Sequence, residues 1–376
     1  MSRTSLTVAC AALCCLVGLF AGRAAVAQNV SATSPIVCTG FGVDQVLTRI
    51  AFGSCAQENR PQPIWHAIAD LEPECFIFLG DNIYGDSDDP SVLRADYAKL
   101  DAMPGYQRLR EQGAMILGTW DDHDYGKNDA GAEWGIKRES QQAMLDFLRV
   151  PADSPRRTRE GVYDAVIVGP EGRRVQIITL DTRFFRSPIP KSDDTRPWSY
   201  GNPGSYAPNT DPSSTILGEA QWAWLSEQLA KPAEIRLIAS SIQFVADEHR
   251  FEMWGNFPHE RARMLNLIAG TGASGVVFIS GDRHHAEISR LTDASAIGAP
   301  LAYPIWDVTS SGLNQTKKWG NERNRSRVGG MFTEENFGMI RIDWTPSDPV
   351  IKLEVRDGEG SALMLQDVRL SELRAE

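Results

Sequence analysis

Cysteine and histidine are scarce in this chain, with six of each among 376 residues, and basic charge is in deficit, with 38 Lys and Arg against 49 Asp and Glu. A formal charge of −11 argues against general nucleic-acid binding, which draws much of its affinity from Lys and Arg neutralising phosphates. An anionic ligand would therefore need positive charge concentrated locally, and bound cations are one source of it. Internal repeats, a heptad pattern and a clear linker are all missing, so repeat arrays and coiled coils are excluded. The composition is neither collagen-like nor disordered, and 42% hydrophobic residues suffice for a substantial core.

Long apolar runs are missing too, apart from Leu6 to about Ala21, which follows Arg3 and precedes Ala25-Val26-Ala27. That pattern reads as a secretory signal over residues 1–27, cleaved near Ala27, with a leader segment over 28–46 behind it. A retained N-terminal anchor is the rival reading, disfavoured because no charged stop-transfer flank follows. The expectation is an exported chain, periplasmic or secreted, with no stable transmembrane anchor after cleavage. Loss of Arg3 and Arg23 would take the formal charge from −11 to −13. Cys10, Cys14 and Cys15 would leave with the signal, and Cys38, Cys55 and Cys75 would stay. An odd number places at least one thiol outside an intramolecular disulfide. A Cys38–Cys75 bridge is compatible with the sequence without being indicated by it.

What is present is a series of apolar segments that each end in polar, chemistry-bearing residues. Leu47 to Ser54 reads as a first strand, Pro63 to Leu71 as a helix, and Cys75 to Leu79 as a second strand. A helix through Met103 with Ser91 as its cap, a strand from Ala114 to Thr119 and a helix from Ile136 to Leu148 continue the alternation. Gly161 to Val168 and Arg173 to Leu180 read as a hairpin about Gly169-Pro170-Glu171-Gly172. A helix from Leu217 to Leu229, a strand from Ile235 to Ser240, a helix from Pro258 to Ile268 and a strand from Gly275 to Ile279 follow. The tail reads as β, over Glu287 to Leu291, Pro304 to Thr309, Phe337 to Trp344, Val350 to Val355 and Ala362 to Leu370. Together these predict an α/β fold, a single domain over 47–376 with two stacked sheets. The Pro- and Ser-rich segment from Ser187 to Ser214 is too long for a simple connection, and a functional lid and a disordered excursion are equally compatible with its length.

Four strand ends present Cys55, Asp81 with Tyr84, Asp121-Asp122-His123, and Asp282 with His284. Singly each is weak, since Asp after a strand is often a turn or cap residue and a lone His is more often structural. In combination, three of six histidines fall in two Asp/His clusters at the ends of strands that should lie side by side. Ligands of open α/β sheets bind at the carboxyl ends of such strands. Carboxylates and phenolate are hard oxygen donors, so a metal site is the natural expectation.

The ordered set Phe52-Gly53-Ser54-Cys55, Gly80-Asp81-Asn82-Ile83-Tyr84-Gly85-Asp86, Thr119-Trp120-Asp121-Asp122-His123-Asp124, Leu180-Asp181-Thr182-Arg183 and Ser280-Gly281-Asp282-Arg283-His284 resembles the alkaline phosphatase D (PhoD-like) family of calcineurin-type metallophosphoesterases. The Gly-Asp-x-x-Tyr element is also similar to that of purple acid phosphatases. The resemblance runs from about Leu47 to Leu370. It implies a four-layer α/β-β-α sandwich with two mixed sheets and a multinuclear metal centre. It implies that Cys55, Asp81, Tyr84 and His284 hold Fe³⁺, and that Asp81 bridges to Ca²⁺ bound with Asp122 and Asp282. One or two calcium ions, or Mg²⁺, Mn²⁺ or Zn²⁺ instead, are compatible with the donors. Asp122 and His123 stand where the wider superfamily has the Asn and His of its Gly-Asn-His motif. Two departures bear on substrate preference. Arg3 has no arginine neighbour, unlike the twin-arginine signal of the longest-studied type, and the stretch before Leu47 leaves no room for an extra N-terminal β-domain.

Elementary chemistry agrees with these assignments. Thiolate and phenolate are anionic ligands suited to Fe³⁺, and Asp oxygens suit Ca²⁺ or Mg²⁺. Two cations roughly 4 Å apart generate hydroxide near neutral pH and clamp phosphoryl oxygens. His123 is expected to protonate the leaving oxygen, with a structural hydrogen bond as its alternative role. Arg183 is expected to bind phosphate, as could the basic loop with Lys317, Lys318, Arg323, Arg325 and Arg327, although a solvated surface accounts for that loop as well. Gln243, His249 and His285 stand near strand ends without a strong motif. The expected activity is metal-dependent hydrolysis of phosphate mono- or diesters by metal-bound hydroxide. Phospholipase D-like hydrolysis of phospholipid headgroups, and a noncatalytic metal- or phosphate-binding protein on the same scaffold, are the alternatives. The expected partner is thus a small phosphoester or a phospholipid.

Overall fold

The computed structural model describes Met1 and residues 42–192, 206–317 and 322–375. The chain divides into two compact units, 1–33 and 34–376, and of the first only Met1 is described. Cys38 and Lys318 lie outside the described residues, as does 193–205 within the long Pro- and Ser-rich segment, so the Cys38–Cys75 pairing cannot be placed. No helix among the described residues is long and apolar enough to cross a membrane.

In chain order the first half runs β1 (Arg49–Gly53), α1 (Ile64–Asp70), β2 (Cys75–Leu79), α2 (Pro90–Asp101), α3 (Pro104–Glu111), β3 (Met115–Thr119), α4 (Asp122–Tyr125) and α5 (Lys137–Phe147). The hairpin β4 (Asp164–Val168) and β5 (Val175–Thr179) follows, then α6 (Gly218–Leu229), β6 (Ile235–Ser240), α7 (Pro258–Thr271) and β7 (Val276–Ser280). The tail is β8 (Ala286–Leu291), β9 (Ile305–Ser310), β10 (Arg327–Phe332), β11 (Asn336–Asp343), β12 (Val350–Asp357) and β13 (Ala362–Arg369).

These strands form two mixed sheets, ordered β13-β12-β11-β1-β2-β3 and β10-β8-β9-β7-β6-β5-β4. The alternation of side chains along a strand builds the layers. In β2, Phe76 and Phe78 face α1 and α3, where Trp65 packs edge-on against Phe76 at 4.9 Å between ring centroids. Cys75, Ile77 and Leu79 face the other way, into the core shared with Ile177, Leu237 and Val277 of the second sheet. All five residues are buried, as expected of a parallel strand covered on both faces. Trp222 and Met264 of α6 and α7 cover the far side of the second sheet, completing four layers. Alignment of Ala51, Phe76 and Ile116 across β1, β2 and β3 sets their carboxyl ends level.

Three sequence expectations shift. The helix expected behind Ser91 starts at Pro90 with Asp89 as its cap, because the Asp89 side chain accepts from the Ser91 N–H at 2.8 Å. Proline at the first helical position needs no partner for its missing N–H, which fixes that start. The α3 helix was not anticipated, and Pro104 separates it from α2. Nor was β10: Arg327, read as part of a basic loop, is its first residue and pairs with buried Glu287 of β8.

Candidate metal centre

Seven strands contribute their carboxyl ends to one edge of the sandwich. From the first sheet come Cys55 after β1, Asp81 and Tyr84 after β2, and Asp121 to His123 after β3. From the second come Arg183 after β5, Ser241 after β6, Asp282 and His284 after β7, and Ser311 after β9. Backbone bonds lock the loops together, with Cys55 N–H donating to Gly80 O at 3.3 Å and Ala56 N–H to Asp81 O at 2.8 Å. Ser311 joins the two sheets, its hydroxyl lying 3.1 Å from Cys55 Sγ and accepting from the His284 N–H at 2.8 Å.

Among the described residues eight non-glycine residues have positive φ, and six of them stand here: Cys55 at 62°, Asp81 at 48°, Asp86 at 40°, Asp129 at 57°, Asp282 at 68° and His284 at 58°. Left-handed backbone costs an L-residue about 1–2 kcal/mol, so its concentration at one edge marks a place where side-chain aim outweighs backbone comfort.

The aim converges. Cys55 Sγ lies 3.5 Å from Asp81 Oδ2, Tyr84 Oη lies 3.4 Å from the same oxygen and 3.0 Å from His284 Nε2. Ligand-type atoms of Cys55, Asp81 and His284 all fall within 4.8 Å of one another, as do those of Asp81, Asp122 and His123, of Asp81, Asp121 and Asp282, and of Asp122, Asp129 and Glu252. Asp81 belongs to three of these four groups, so its carboxylate is the hub. The groups border a cavity of about 280 Å³ lined also by Asn128, Tyr206, Phe251, Arg283 and Lys317.

Such crowding shifts the ionisation of its members and opposes charge on most of them. Burial, with Asp122 beside it, pushes Asp81 well above the carboxylate range, and burial with Asp81 beside it does the same to the Cys55 thiol. Tyr84 is raised by burial and by Cys55, and Asp282 is raised by burial despite Arg283. Burial also opposes charge on Asp122, yet Arg183 and His123 outweigh it and hold that carboxyl at about 2. Asp122 Oδ1 and Asp121 Oδ2 are buried with no hydrogen-bond partner. Converging anionic donors with orphaned oxygens and disfavoured charge are what cations relieve, so the residues present fit a multinuclear metal site.

The sequence model of the PhoD-like phosphatase family matches residues 50–348. The chain belongs to that family. It is 25% identical over 368 residues to alkaline phosphatase D of Bacillus subtilis (strain 168), covering 84% of this chain and 60% of that protein. It thus spans under two thirds of that curated relative. A solved structure of PhoD superposes with a TM-score of 0.58 at 18% identity, over 87% of this chain and 72% of that one. A dimetal phosphatase from Danio rerio does so with 0.53 at 12% identity, over 87% and 100%. These likenesses show a shared two-sheet fold.

In this PhoD-like chain all six residues expected to bind metal lie at the one edge. His123 also reaches it, its backbone N–H 3.4 Å from Asp81 Oδ1 and its Nδ1 2.8 Å from both oxygens of Asp86. Burial opposes its charge, but Asp81, Asp86 and Asp122 outweigh burial and raise it to about 11. Arg183 has surroundings unlike those of an open phosphate clamp. It is fully buried, with Nη2 2.6 Å from Asp121 Oδ1 and 2.5 Å from Glu252 Oε2, beneath the cavity rather than lining it. Arg186 holds the other Glu252 oxygen at 2.9 Å. Of the basic loop, Lys317 borders the cavity, while Arg325 pairs with Asp247 at 3.0 Å. Gln243 is buried on Glu287 and Thr309, and His249 and His285 are buried as well, none of them lining the cavity.

Sequence reasoning missed Asp86, Asp129, Glu252 and Ser311. Asp86 ends the Gly80–Asp86 run, so the signal for it was present. Ser311 follows a strand like the other site residues. Asp129 and Glu252 sit in loops away from strand ends, where the strand-end rule gives no signal.

Proposed function

We propose that this chain is an exported phosphohydrolase that cleaves phosphate mono- or diesters at a metal centre, with a ferric ion on Cys55, Asp81, Tyr84 and His284 and calcium on Asp81, Asp122 and Asp282. The observation that carries the reading is Asp81, one carboxylate common to three groups of ligand atoms supplied by both sheets. The phenolate and carboxylate oxygens are hard donors, and with the thiolate they give this end three anionic ligands, which favours a highly charged cation such as the ferric ion. Carboxylates alone favour calcium at the other. Bound there, the cations would acidify a water molecule and draw electron density from the phosphoryl oxygens.

The chain's own residues do the rest. Asp86 grips Nδ1 of His123, which fixes the ring and leaves Nε2 as the nitrogen able to give a proton to the departing oxygen. The Tyr84 ring, 4.3 Å from the His123 ring between centroids, limits its swing. Arg183 acts from below as a positioning residue, holding Asp121 and Glu252 in place and keeping Asp122 ionised. Export rests on the apolar run behind Arg3 and on Ala25-Val26-Ala27.

The test compares holoprotein with Asp81→Ala on an aryl phosphate monoester, an aryl phosphate diester and a phosphatidylcholine dispersion. Hydrolysis of an aryl ester by the holoprotein, lost in Asp81→Ala, is expected. Equal turnover by both proteins rejects the metal-centred enzyme, and lipid turnover without aryl-ester turnover rejects the substrate class. Coloured protein whose visible band changes in Tyr84→Phe or Cys55→Ser is expected of the ferric ion, and colourless, fully active protein rejects it.

A further inference from the structure

The cavity beside the metal centre is lined by five acids, Asp129 and Glu252 among them, and its non-histidine cations are Arg283 and Lys317. The two differ in how they are held. Arg283 donates through Nη1 to Asp282 at 3.1 Å, and through Nη2 and Nε to Glu322 at 2.5 and 3.2 Å. Its guanidinium is committed to holding one of the expected ligands. Among the described residues Lys317 donates to Glu322 alone, and an ammonium carries three N–H groups, so two remain.

The Lys317 ammonium is built into place. The Lys317 backbone N–H donates to the carbonyl of His284 at 2.9 Å, tying it to a residue of the centre itself. Both cations lie over the Phe251 ring, with Arg283 Cζ 3.8 Å and Lys317 Nζ 4.6 Å from its centroid. An aromatic face holds a cation without consuming its donors, and it keeps water from one side. Glu322, buried at 4% exposure, is the shared counter-charge. Lys317 is thereby held beside the metal groups with hydrogen-bonding capacity unspent.

We propose that Lys317 is a specificity residue that reads the second negative charge of a phosphoryl group, making this site select dianionic phosphate monoesters over monoanionic diesters. The inference rests on the phosphohydrolase reading above and narrows its substrate class. Attraction between the ammonium and a phosphoryl group at a few ångströms scales with the charge of that group, so a monoester feels Lys317 about twice as strongly as a diester.

The experiment uses holoprotein with K317M and K317R. Calorimetry at about pH 8 measures binding of inorganic phosphate and of dimethyl phosphate. Steady-state assays on an aryl monoester and an aryl diester run alongside, with metal content as the control. In K317M the dissociation constant for inorganic phosphate should rise about tenfold and that for dimethyl phosphate less than about threefold. The monoester kcat/KM should fall about tenfold against about threefold for the diester, and K317R should recover most of the loss. Equal losses on both ligands, or none, overturn the proposal. K317Q, which keeps a donor for Glu322 without the charge, carries the same expectation should K317M fold or load metal poorly. If wild-type protein cleaves neither ester, the phosphohydrolase reading fails, and the two binding constants still decide the role of Lys317.

Discussion

Gly80 is the residue through which the fold positions its hub, and replacing it with alanine tests that link. Its φ is +97°, and a Cβ there would lie 2.5 Å from Asp121 Cβ, 2.6 Å from Asp121 N and 2.8 Å from Trp120 C. Two of those atoms are backbone, so no rotamer change relieves the overlap. Left-handed backbone costs alanine about 1–2 kcal/mol. Overpacking a closed site adds about 1–3 kcal/mol, for a total of about 2–5 kcal/mol. For a domain of this size that total corresponds to a fall in melting temperature of about 3–7 °C. The strain lies between the loops carrying Asp81 and Asp121, so relaxation would part those carboxylates and metal content should fall with stability. Thermal unfolding together with elemental analysis of Gly80→Ala measures both. A melting temperature within about 1 °C of wild type at full metal content would refute the packing argument.

Further outcomes follow from the same geometry. Arg183→Met should destabilise the protein by about 3–5 kcal/mol in urea, because Asp121 and Glu252 would stay buried without their cation; a loss under about 1 kcal/mol would show the ion triad to be dispensable. Asp86→Asn should slow turnover of an alkyl phosphate monoester about tenfold or more while barely affecting an aryl one, since only the poor leaving group needs the proton from His123. Equal effects on both would remove His123 from that role. Burial opposes charge on Glu287, but His285 and Arg327 outweigh it and hold the carboxyl at about 2. A carboxyl lowered on folding stabilises fully above its unfolded value of about 4.3 and loses that contribution as pH falls towards about 2. The gap in urea midpoint between wild type and Glu287→Gln should therefore be widest at neutral pH and shrink at pH 3; a constant gap would contradict this.

Much of this could be read along the chain, for a physical reason. Strands such as Cys75-Phe76-Ile77-Phe78-Leu79 are buried on both faces, so they are continuous apolar runs whose ends are sharp. The residues that follow them are forced to the same sheet edge, which is why Cys55, Asp81 and Asp282 were legible from position alone. The strand β10 escaped because Gly329 and Gly330 break its apolar pattern, and its exposed middle gives no alternation. Arg183 was misjudged because a charge in a sequence carries no label of its partner. Its guanidinium meets Asp121 from 62 positions away and Glu252 from another loop, and together they take it out of the cavity. Asp129 and Glu252 are gathered by the folding of loops, where no periodicity operates.

Elemental analysis of the purified protein against Asp81→Ala tests the shared centre most directly. Wild type should carry about two or more metal ions per chain, and Asp81→Ala, folded by its thermal transition, should keep at most about one, because the hub carboxylate serves both positions. Equal metal content in the two proteins would contradict a centre organised around Asp81.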